Sequence, residues 1–96
     1  EHLWQADPLV WPWHGPNLFP VVGGCLNNQL LVNGQAYPME RHGFTRRSTF
    51  DNTESTATHA VFTLRSSDAT RAVYPYEFLF QIIYELDGPR LTVTYR

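Results

Sequence analysis

The sequence predicts an all-β protein assembled from antiparallel strands. Three observations carry that reading. Apolar and polar residues alternate with period two over several short stretches. Asn33-Gly34 and Asp87-Gly88 punctuate those stretches as hairpin turns do. Seven prolines, six glycines and an aromatic content of 15%, set among Thr and Val, favour strands and turns over helices. The chain has 96 residues, 43% of them hydrophobic, which suits one globular unit and leaves no room for a second domain.

Residues 4–20 hold Pro8, Pro12, Pro16 and Pro20 with Trp4, Trp11 and Trp13 between them. Fixed φ angles and missing amide donors forbid a regular helix or a central strand, so an ordered aromatic loop is expected. Gly23-Gly24 lacks the further glycine and the helix of a phosphate-cradling loop and reads as a turn or bulge. Leu30-Leu31-Val32 and Gln35-Ala36-Tyr37 flank Asn33-Gly34 and form the expected first hairpin. Arg41-His42-Gly43-Phe44-Thr45-Arg46-Arg47 follows it as a loop entering a strand, with Gly43 permitting an unusual backbone angle or a close approach. Over residues 56–66, Ala60, Phe62 and Leu64 alternate with His59, Val61, Thr63 and Arg65, the pattern of a half-buried strand with His59 on the more polar, solvated face. Residues 77–86 predict a long strand, apolar on both faces and lying between two layers. Asp87-Gly88 then turns the chain into a returning strand in which Leu91, Val93 and Tyr95 alternate with Thr92, Thr94 and Arg96. That alternation reaches Arg96 without a stop signal and Glu1 is not an initiator methionine, so residues 1–96 are expected to be a single partial domain, an excerpt of a larger β-sandwich. A small complete β-domain is the other reading of the same ends.

Several function classes are disfavoured. A net charge of −2 with dispersed arginines offers no stripe for phosphate backbones, which argues against a nucleic-acid partner. No apolar run approaches the roughly twenty residues that span a bilayer, so no membrane partner is expected. A single cysteine, Cys25, rules out an intramolecular disulfide and fits a cytoplasmic setting, where it reads as a buried inert thiol. The absence of lysine removes Schiff-base chemistry from this segment. His2, His14, His42 and His59 fall at irregular spacings without a cysteine pair, so no metal site is expected. In the residues 41–47, His42 beside Gly43 suits an imidazole projecting toward a cleft, and Arg46 offers a planar fork of donors to hydroxyl oxygens. A histidine satisfied by a turn carbonyl beside solvated arginines explains the same string. The aromatic residues, Tyr74 and the tryptophans among them, suit either stacking on the apolar face of a pyranose or packing a sandwich core.

Taken in order, Asn17-Leu18-Phe19-Pro20-Val21-Val22-Gly23, the Asn33-Gly34 hairpin with Tyr37-Pro38-Met39, His42-Gly43-Phe44-Thr45-Arg46 and Tyr74-Pro75-Tyr76-Glu77-Phe78 resemble the aldose 1-epimerase family, especially its less characterised bacterial branch. The match covers nearly the whole chain. The resemblance implies the large β-supersandwich of the galactose mutarotase-like fold, in a family chain roughly three times this length. It implies an enzyme that interconverts the α and β anomers of a monosaccharide, a hexose or a hexose phosphate, without metal or organic cofactor. Ring opening needs a base for the C1 hydroxyl proton and an acid for the ring oxygen, and the family's principal pair would lie beyond Arg96. The residue carried over here is His42, as a sugar contact near the ring oxygen, with Arg46, Phe44 and Tyr74 as further substrate-binding candidates. Many relatives have an arginine directly after the Val-Gly turn, where Gly24 stands in this chain; Arg46 or Arg47 is expected to compensate. A non-catalytic carbohydrate-binding member of the same superfamily is the alternative, and a small β-module that binds a protein through its aromatics is a third reading.

Overall fold

The structure, a computed structural model, describes residues 3–96. Glu1 and His2 lie outside the described residues, and with them the expectation that His2 ligates no metal. Residues 3–18 form no strand or regular helix, as their proline spacing requires. The first hairpin pairs β1 (Gln29–Val32) with β2 (Gln35–Pro38), Val32 opposite Gln35. Asn33 and Gly34 take φ of 49° and 79°, the two positive angles that a type I′ turn demands.

A second, four-stranded sheet is an antiparallel meander: β3 (Asp51–Ser55), β4 (His59–Arg65), β5 (Leu79–Asp87) and β6 (Arg90–Tyr95), hydrogen-bonded in that order. Gly88, at φ 57°, opens the tight turn between Asp87 and Arg90. Between β4 and β5 the chain makes a one-turn helix, α1 (Asp68–Arg71), whose N-terminus is closed by a reciprocal cap between Ser67 and Thr70. The antiparallel architecture follows the sequence reading. The strand β3 and the helix α1 were not among its expectations.

The burial of β4 reverses the expected one. Phe62 opposite Ile82, and Ala60 opposite Tyr84, share one face with Leu64 and Phe80, yet Ala60, Phe62 and Leu64 are only half-buried. The nominally polar face contains Val61 and Thr63, 5% and 1% exposed. Thr63 is covered by a polar ladder across the sheet: its hydroxyl meets Thr53 Oγ1 at 2.9 Å and accepts from Gln81 Nε2 at 3.2 Å, and Arg96 Nε donates to Gln81 Oε1 at 3.0 Å. Buried polar groups that find partners carry little desolvation cost, so Thr63 is buried on this face beside Val61. His59 is half-buried rather than solvated, between Glu54 at 3.7 Å on β3 and Glu85 at 3.8 Å on β5.

Phe19 joins the N-terminal loop to the sheet. Its ring stacks on Phe80 at a centroid distance of 4.9 Å, and Phe78, Tyr74 and Phe44 surround it at 5.1, 5.9 and 6.2 Å. Offset and edge-on aromatic pairs of this kind add to area burial. That cluster fixes where the loops sit relative to the sheet.

Candidate functional site

The loop after β2 is built by backbone contacts. Met39 is buried and its N–H donates to Asn28 O at 2.9 Å, sealing the base of the hairpin. Gly43 N–H donates to Glu40 O at 3.0 Å, and His42 and Gly43 are both left-handed, with φ of 68° and 73°. Gly43 lies against Phe19 in a parallel bridge, where a Cβ would fall 2.1 Å from the Phe19 carbonyl oxygen. Only glycine permits that approach. The same carbonyl accepts from Phe44 N–H at 3.1 Å, and the buried Thr45 hydroxyl donates to Asn17 O at 2.6 Å. Residues 17–19 are thus strapped to residues 43–45.

This strap places His42. Its N–H donates to Gly23 O at 2.8 Å, and its Nδ1 accepts from Gly23 N–H at 3.0 Å. An imidazole whose Nδ1 is an acceptor carries its proton on Nε2 when neutral. The half-buried ring therefore offers an N–H donor from Nε2, which no described residue engages. Among the described residues no carboxylate pairs with it. The clasp leaves the Nε2 edge of His42 free of contacts with the described residues.

The other residues expected to bind substrate are distributed around this point. Phe44 and Tyr74 belong to the Phe19 cluster, 6.5 Å apart between centroids, and are half-buried. Arg46 packs its guanidinium 5.6 Å over the Trp13 ring and faces Glu40 at 3.6 Å, with its Nε buried and unpartnered. Arg47 meets the same Glu40 oxygen at 3.4 Å. A groove of about 630 Å³ is lined by Glu40, Arg41, Phe44, Met39 and Val73, among others, and a smaller one of about 210 Å³ by Trp13, His14, Thr45 and Arg46, among others. Neither takes His42 or Tyr74 into its wall, so the four residues surround the loop rather than one cavity. Sequence reasoning did not single out Gly23 as the partner of His42, and the only signal for it was the Gly23-Gly24 pair. Among the described residues no group of three or more His, Cys, Asp or Glu side chains could hold a metal ion, and no helix is long and apolar enough to cross a membrane. Cys25 is a free thiol, half-buried rather than fully buried.

Solved structures identify the antiparallel meander, with its aromatic loop cluster, as part of a galactose mutarotase-like fold. A galactose mutarotase related enzyme from Lactobacillus acidophilus superposes with a TM-score of 0.88 at 36% identity, covering 96% of this chain and 31% of that one. A galactose mutarotase-like protein from Lactobacillus casei gives 0.87 at 32% identity, covering 96% and 31%. The chain belongs to the aldose 1-epimerase family, whose profile matches residues 1–96. The plasmid and chromosomal LacX proteins of Lactococcus lactis are 30% identical over the whole chain. The chain spans about a third of their length (34%).

Proposed function

We propose that the protein to which these residues belong is an aldose 1-epimerase that interconverts the anomers of a monosaccharide, a hexose or a hexose phosphate, by general acid-base ring opening in the cytoplasm. Family membership supports the carbohydrate role. The observation that carries the assignment within this chain is the His42 clasp: with Nδ1 taken by Gly23, the ring is set to donate from Nε2 to a sugar oxygen. A group so fixed is suited to orienting the ring oxygen, while the proton transfers fall to residues outside this segment. Phe44 and Tyr74 supply an apolar flank, and Arg46 is held by Trp13 and Glu40. The absence of a carboxylate partner for His42 among the described residues suits equally a relative that binds sugar without turnover, and polarimetry separates the two. On fresh α-glucose and α-galactose the full-length protein is expected to reach anomeric equilibrium faster than buffer alone. His42→Ala is expected to lower kcat/KM by about tenfold or more, the value of a hydrogen bond to a half-buried ring donor. Decay no faster than buffer, on these sugars and on α-glucose 6-phosphate alike, would leave the binding reading, and an unaffected His42→Ala enzyme would remove His42 from the site.

A further inference from the structure

Three arginines flank the His42 loop, and their surroundings separate them. Arg46 and Arg47 share one carboxylate, Glu40 Oε2, at 3.6 and 3.4 Å, and Arg46 is covered by Trp13 as well. Arg41 is exposed, and no described carboxylate pairs with it. Its Nη1 lies 3.9 Å from the point where a Cβ on Gly24 would stand. Gly24 follows Gly23, whose N–H and C=O grip His42. Consecutive residues, Arg41 and His42, are therefore laid against consecutive glycines at one turn. Arg41 is also one of the residues lining the groove of about 630 Å³, with Phe44 and Glu40.

We propose that Arg41 is the guanidinium that grips the sugar in this site, presenting its planar fork of N–H donors to neighbouring hydroxyl oxygens while His42 donates from Nε2. The assignment rests on the carbohydrate reading above and extends it to a residue that neither composition nor motif singled out. An arginine already sharing a carboxylate must give up that pairing to bind a ligand, whereas Arg41 has no such contact to break. The bare Gly24 backbone leaves the fork space to lie beside the turn.

The test uses the full-length protein, with polarimetry on fresh α-glucose and α-galactose. Arg41→Gln is expected to raise KM by about tenfold or more and to change kcat by less than about threefold, as loss of a charge-assisted contact made equally in ground and transition states does. Arg46→Gln is expected to raise KM less. Gly24 has no positive φ and accepts a side chain, so adding Gly24→Arg to Arg41→Gln returns a guanidinium to the same turn and is expected to recover much of the KM. A purely structural role for Arg41 would not be rescued in that way. A KM for Arg41→Gln within about twofold of the parent, or a larger effect from Arg46→Gln, would overturn the proposal. If the parent protein accelerates neither sugar, mutarotation itself fails and binding decides Arg41: titration of glucose and galactose followed by tryptophan fluorescence should show weaker binding by Arg41→Gln. Equal affinity for the two proteins overturns the role of Arg41, and a parent that binds neither the sugars nor their 6-phosphates overturns both readings.

Discussion

A Cβ on residue 43 would stand 2.1 Å from the Phe19 carbonyl oxygen, and Gly43 holds φ at 73°. Gly34 has a similar φ of 79° but nothing within 4 Å of its missing side chain. The pair separates backbone strain from contact. Gly34→Ala is expected to cost about 1 kcal/mol, the price of a left-handed alanine, while Gly43→Ala should cost about 3 kcal/mol or more because Phe19 must also move. Urea unfolding of the full-length variants measures both, and equal losses would show that the Phe19 contact yields freely. Gly43 was legible in the sequence as a glycine that the backbone needs. What it approaches was not, because Phe19 lies far upstream and meets it only through main-chain atoms, which leave no trace in side-chain patterns. The environment of Arg41 was hidden for the same reason, since its neighbour Gly24 has no side chain to form a motif.

At the scale of elements, the sequence was clearest where turn chemistry and alternation coincide, at Asn33-Gly34 and Asp87-Gly88 with their flanking strands. It was silent on β3, where Asp-Asn-Thr-Glu-Ser is polar throughout and every residue is exposed. An edge strand of that kind is held by its backbone ladder to β4 and blunted by its charges, and neither property shows in hydropathy. The helix α1 is a single turn, too short for a 3.6-residue period to register. Its surroundings nonetheless carry a pH dependence. Glu77 accepts from the Ser66 hydroxyl and from Arg71 Nη1, the latter at 2.7 Å, and Arg71 Nη2 reaches Asp68 at 2.5 Å. The Ser66 hydrogen bond, opposed by desolvation and reinforced by Arg71, holds the Glu77 carboxyl below the ordinary glutamate range. A carboxylate lowered on folding stabilises the folded state above its unfolded pKa, and that contribution is lost as pH falls through the lowered value. Urea midpoints measured between neutral and acid pH should therefore fall less steeply for Glu77→Gln than for the parent. Identical slopes would mean that the carboxylate is unpaired in solution.

On the scale of the whole molecule, the accessible surface is 7182 Å², against about 5,700 Å² expected of a compact folded chain of this mass. The radius of gyration is 16.0 Å, where a compact domain of this length gives about 12–13 Å. Part of the exposed apolar surface lies along residues 3–31, at Leu9, Leu26 and Val22 among others, and part lies on one face of the meander. Leu86, Leu91, Val93 and Tyr95, 51%, 48%, 38% and 60% exposed, lie on the side of the sheet that also carries Phe62 and Tyr84. The only large apolar side chains buried among the described residues are Met39, Val61 and Ile82. Such a surface is covered in a stable protein, and β6 has no strand on its outer side among the described residues. The 96-residue chain on its own is therefore expected to self-associate at micromolar concentration in sedimentation velocity. Leu91→Lys with Val93→Lys should shift it toward monomer, since charges on an open edge oppose pairing. The same two substitutions should destabilise the full-length protein, because burying unpaired charge under a covering layer is costly. The opposite signs are the decisive feature: an isolated chain that runs as a monodisperse monomer with a cooperative melt, or a full-length protein indifferent to both lysines, would mean that this face is built to stay in water.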